Sequence, residues 1–167
     1  MIDYIKESDK YKPKIIKELL IGEAPPPSGK KYFYIPIIMS NKKDIEKDTS
    51  LPATIFYHYF NKRPETIDEY INFLNKLKNM GVFLIDIIDE SLKIRDKNYK
   101  NGINTDNLRI LMKHIQMLRN KIKSRGIDID DKNMIFLLPR KHYKKELKKE
   151  FPKAKFKSWK EFRLNGK

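Results

Sequence analysis

Apolar residues in this chain fall into four short runs, with helical spacing between the middle ones. Ile15 to Gly22 is compact enough for a buried strand. After a polar and irregular stretch, Thr66 with Glu69 three residues on forms a capping box, the signature of a helix start. Ile67, Tyr70, Ile71, Leu74 and Leu77 then share one helical face, and Gly81 ends that helix. Val82 to Asp89, "VFLIDIID", reads as a second buried strand. Leu108, Leu111, Ile115, Leu118 and Ile122 mark a long helix by their 3,4 spacing, closed by Gly126. A stripe of this kind is core packing rather than a partner zipper. Asn133 to Pro139, "NMIFLLP", predicts a third strand, followed by a basic helix around His142 to Glu150. Ala154 to Trp159 alternates like a short edge strand.

Strands separated by helices pair in parallel through right-handed crossovers. The expected architecture is therefore a three-layer α/β/α sandwich around a central, mostly parallel four-stranded sheet, as one domain over 1–167. Two regions, 23–65 and about 90–104, show no regular period. Long loops in compact α/β domains are usually functional, and open parallel sheets bind ligands beyond the carboxyl ends of their strands. Glu23, Asp86, Asp89 and the Pro139–Arg140 pair fall on that rim.

Charge adds direction to this picture. The net charge is +15, and residues 140–167 hold twelve Lys/Arg against three acids, so nine excess charges lie in this basic segment. Such a concentration suits a polyanion, because each neutralised phosphate releases condensed counterions. No stretch reaches the roughly 20 apolar residues needed to span a bilayer, and the opening "MIDYIKESDKYK" lacks a signal peptide's apolar core. The chain has no cysteine, which rules out disulfides, zinc–thiolate sites and a Cys-ligated iron–sulfur cluster. A cytoplasmic monomer that binds nucleic acid, with no membrane and no cofactor, is the expectation.

The stretch "LLIGEAPPPSGKKYFY", residues 19–34, carries the most specific chemistry. Its Gly-Lys pair invites comparison with a phosphate-binding loop, which needs four residues between its glycines and a Ser or Thr after the Lys. Gly22 and Gly29 are six residues apart, Lys30 is followed by Lys31, and Pro25, Pro26 and Pro27 have no N–H to offer phosphate. The nucleotide cradle fails on spacing and on donors. What remains is a stiff turn with one carboxylate, Glu23, followed by three rings, Tyr32, Phe33 and Tyr34. Rings at such a rim suit base stacking, although they equally suit packing the loop onto the sheet.

This stretch resembles the first motif of the uracil-DNA glycosylase superfamily, a strand ending in a Gly-Glu-Ala-Pro turn with aromatics close by. The order of strands and helices matches that family's parallel-sheet sandwich over nearly the whole chain. The resemblance implies a DNA glycosylase that excises a damaged or deaminated base, uracil or a relative, by hydrolysing its N-glycosidic bond. It implies catalytic roles for Glu23, which would position water, and for Asp86, which stands where relatives often place a base-reading asparagine. Ala24, Pro25, Tyr32, Phe33, Tyr34 and Pro139 would form the base pocket. Lys30, Lys31, Arg140, Lys141, Lys144 and Lys145 would hold the nucleic acid, DNA above all. Leu138 stands where the family's second motif has a histidine, with His142 nearby on the following helix. Two other readings use the same rim. A non-catalytic nucleic-acid-binding protein needs only the charge, and a magnesium-dependent nuclease would gather Glu23, Asp86, Asp89 and Glu90 around the ion. Phe56, Tyr57, Tyr59 and Phe60 around His58 read as buried structure, and Trp159 as a pin for the C-terminal segment.

Overall fold

The computed structural model describes residues 2–39, 48, 50–91, 105–137 and 143–164, with main chain alone at 105–108. Pro139, Arg140, Lys141, Leu138 and His142 lie outside the described residues. The order of elements is α1 (Tyr4–Asp9), β1 (Glu18–Gly22), α2 (Leu51–Phe60), α3 (Ile67–Met80), β2 (Val82–Asp86), α4 (Thr105–Ser124), β3 (Met134–Leu137), α5 (Lys144–Glu150), β4 (Lys155–Lys157) and α6 (Trp159–Leu164). The four strands form one sheet in the order β2-β1-β3-β4, and every pairing is parallel.

Each strand is shorter than its apolar run suggests, and the trimmed ends are informative. Ile15 is 74% exposed, so β1 starts three residues later, where Glu18 pairs with Val82. β2 stops at Asp86, although Ile87 and Ile88 stay buried and donate main-chain bonds to the Gly22 and Glu23 carbonyls at 2.9 and 3.1 Å. β2 and β3 are buried along their whole length and β1 from Leu19 on, whereas β4, at the edge, is exposed to half-buried.

The helices begin and end where local chemistry dictates. The Thr66 hydroxyl accepts from the Glu69 amide at 3.1 Å, while the Glu69 carboxylate accepts from the Glu65 amide at 2.8 Å. The capping box is thus displaced by one residue on its return bond. Gly81 closes α3 at φ 83°, in the left-handed region that glycine enters without steric cost. In the stretch expected to be irregular, α2 runs for ten residues, capped by Ser50, whose hydroxyl accepts from Ala53, and by Asn61 at φ 50°. α2 packs on α6 and α4 on α5, while α3 lies against β2. His58 of α2 stacks on Phe162 of α6 with centroids 3.8 Å apart, and its Nδ1 lies 2.6 Å from the Phe162 carbonyl. His58 is a packing residue.

Candidate functional site

The sheet order sets a topological switch point between β1 and β3. The chain leaves β1 toward β2 on one side, and leaves β3 toward β4 on the other. Connections from neighbouring strands that diverge in this way open a gap at their carboxyl ends, where α/β folds bind ligands. Glu23 follows β1 directly at that gap. Its carboxylate accepts a hydrogen bond from the hydroxyl of Tyr143, a fully buried side chain just before α5. A residue leaving β1 and one returning after β3 are thereby joined across the switch point.

Beside Glu23 lies a second carboxyl. Asp86 ends β2 in register with Gly22 and is only 6% exposed. A Cβ added to Gly22 would collide with the Asp86 Oδ1, so the carboxyl rests on the glycine. No described cation is bonded to it. The nearby Lys121 of α4 instead donates to the Asp86 carbonyl at 2.6 Å, to the Ile87 carbonyl at 3.3 Å and to the Asp89 carboxylate at 2.6 Å. Burial pushes the Asp86 carboxyl up to about 7; Asp89 and Glu23 push the same way, and Lys121 and Arg125 oppose them. Burial likewise lowers the Lys121 ammonium, against the pull of Asp89 and Asp86.

No protein-family model, curated protein or solved structure matches the chain. Its chemistry must therefore be read from its own residues.

A carboxyl with a pKa near 7 carries a proton part of the time at neutral pH. When protonated it offers one O–H donor and one carbonyl acceptor, the same pair of functions an amide offers. Glu23, fixed by a hydroxyl at one oxygen, keeps a second oxygen for a water or a substrate group. The rim therefore combines a positioned carboxylate with a neighbouring acid–base group. Among the described residues, no three His, Asp or Glu side chains are placed to hold a metal ion.

The three rings take a different place from the one their sequence position suggests. Tyr32, Phe33 and Tyr34 are 3–5% exposed and belong to the core. Tyr34 stacks on Tyr11 and meets Phe33 and Phe83, while Phe33 packs on Phe56. The Tyr34 hydroxyl donates to the Leu84 carbonyl at 3.0 Å and accepts from the Leu84 amide at 2.7 Å. That hydroxyl satisfies the outward-facing main chain of β2, an edge strand. Phe33 and Tyr34 line a void of about 10 Å³, far too small for a base. The proposed stacking wall is thus corrected: these rings fasten the proline loop to the sheet, and their faces are already occupied.

Of the other expected residues, Ala24 is half-buried, Pro25 is buried, and Lys30, Lys31 and Lys145 are exposed, with Lys144 half-buried. The loop bearing Lys30 and Lys31 is tied near β2's exit by Ser91, which donates to the Pro26 carbonyl at 2.9 Å. Sequence reasoning missed two members of the site. Tyr143 carried only a weak signal, a tyrosine just ahead of a basic helix. Lys121 had a better one: it lies three residues after Leu118 and one before Ile122, on the border of the apolar stripe.

Proposed function

We propose that this chain is a uracil-DNA glycosylase-like protein that binds DNA and hydrolyses the bond between a deaminated or damaged base and its sugar. The supporting observation is Glu23, held by the Tyr143 hydroxyl at the β1/β3 switch point beside a carboxyl able to keep its proton. In this reading Glu23 orients a water against the sugar carbon and takes its proton as the C–O bond forms and the C–N bond breaks. The base departs with the bonding pair, and protonated Asp86 donates to its carbonyl while accepting from its N–H. The base must first leave the stack, at a cost of a few kcal/mol. The three-layer arrangement belongs to the same proposal. It draws on the right-handedness of parallel crossovers and on the pairing of α2 with α6 and of α4 with α5.

The test is an oligonucleotide panel carrying uracil, hypoxanthine, xanthine or a mismatch, scored for alkali-labile abasic sites. Cleavage of at least one substrate, lowered 100-fold or more by Glu23→Gln, is the expected result, given typical contributions of general-base groups. No product from any substrate, or full activity in the variant, rejects base excision. A second reading, binding without excision, is favoured by one observation: the rings expected to stack a flipped base lie inside the core. It predicts affinity with no abasic product.

A further inference from the structure

The rim at the carboxyl ends of the strands is electrically divided. Around β1 and β2 it carries Glu23, Asp86, Asp89 and Glu90. Around β3 and β4 it carries lysines from three elements. Lys144 opens α5, Lys157 ends β4 in register with Leu137, the last residue of β3, and Lys160 lies in the first turn of α6. Glu161 locates them relative to one another. Its carboxylate accepts from the Ser158 amide at 2.7 Å as the return bond of a capping box. Its pKa is lowered first by that amide and the Ser158 hydroxyl, and then by Lys144 and Lys157, so both lysines lie near the start of α6.

Among the described residues, Lys144, Lys145, Lys157 and Lys160 have no carboxylate within ion-pairing distance, whereas Lys121 and Lys62 are each bound to one. From this group of lysines, which outnumbers the Glu161 carboxylate beside it, we infer that the β3–β4 half of the rim is the phosphate-backbone footprint, with the bases directed toward the β1–β2 half. The inference rests on the nucleic-acid part of the proposed function and not on excision. On the β1–β2 side Asp89 is already paired with Lys121 and Asp86 can keep its proton, so Glu23 and Glu90 are the carboxylates that turn the phosphates toward β3 and β4.

The surface suits a phosphodiester chain better than a lipid headgroup layer. Leu147, the sole apolar residue of α5, is fully buried, and Phe162 is buried in α6. Leu164 is the one strongly exposed large apolar side chain among the described residues of α5, β4 and α6. Membrane-surface helices need an apolar face to insert, and α5 presents none. Phe156, the ring of β4, lies stacked on Phe136 with centroids 5.1 Å apart and is overlain by Lys148. It offers no free face to a base, so binding here is to the backbone and independent of sequence.

Two double variants remove equal charge at opposite ends of the sheet. Lys157→Gln/Lys160→Gln changes the proposed footprint. Lys14→Gln/Lys153→Gln changes two exposed lysines that precede β1 and β4, the second from the same basic segment. Fluorescence anisotropy with a labelled oligonucleotide, over a KCl series, reads the slope of log affinity against log salt. The footprint variant is expected to lower that slope by about two, roughly one per lost phosphate contact, and the control to leave it unchanged. Circular dichroism verifies that both remain folded. Equal losses in the two variants would overturn the footprint while leaving nucleic-acid binding standing. Absence of wild-type binding at low salt would overturn the nucleic-acid reading itself. Tighter binding to phosphatidylserine vesicles than to any oligonucleotide would replace this partner with a membrane surface.

Discussion

At the residue scale, Asp86 is the group whose environment most departs from its ordinary one. The unfolded chain releases this proton near 3.8, and the folded protein near 7. Between these values the folded state binds more protons than the unfolded one. This carboxyl's contribution is therefore fully present below about pH 4 and is lost as pH rises through about 7. Asp86→Asn keeps the shape and removes the titration. We expect urea melts to show the variant more stable than the parent at pH 8, by an amount on the order of a few kcal/mol, and no advantage at pH 4. Parallel stability curves across that range would refute this account of the site. The cause lies in one neighbour: Gly22 lets the carboxyl settle over a bare Cα, out of water and without a bonded cation.

At the element scale, β2 is an edge strand whose outward-facing Leu84 amide and carbonyl are both met by the Tyr34 hydroxyl. Tyr34→Phe keeps the ring and removes both bonds to Leu84, leaving a buried amide and carbonyl without that partner. The expected cost is about 1–3 kcal/mol, measured by urea denaturation, with faster hydrogen exchange at the Leu84 amide; unchanged stability and exchange would show the bonds to be immaterial. The same element shows what periodicity can reveal. All four strands, α3 and the long α4 were legible, because each exposes one apolar face or is apolar throughout, and Gly81 and Gly126 mark helix ends by left-handed turns. α2 was not. Its residues are apolar almost all round, from Pro52 to Phe60, because it sits between the core and α6, so no 3.6-residue contrast arises. α6 was not legible either, because its six residues are too few to show a period. The site was half legible. Glu23 and Asp86 follow from strand ends and loop chemistry, whereas Tyr143 and Lys121 reach them through tertiary packing that local pattern does not encode. The rings misled for a related reason: an aromatic cluster beside a rim looks the same in sequence whether it faces solvent or core.

At the scale of the whole molecule, an excess of fifteen positive charges acts on folding and binding with opposite signs. Self-repulsion opposes the compact state, and salt relieves it. Melting temperature should therefore rise between 20 and about 300 mM KCl, while affinity for the proposed nucleic-acid partner should fall over the same range. Thermal melts and binding isotherms in matched buffers would check this, and a melting temperature falling with salt would contradict it. The bond between Glu23 and Tyr143 spans 120 positions of the chain, and it has a consequence in time. A ribosome has made Glu23 long before it makes the hydroxyl that holds it. A growing chain halted short of residue 143 would carry the strand, the glycine and the carboxylate, yet no finished site. Whatever chemistry this rim performs is thus withheld from the nascent protein until most of the sheet exists to support it.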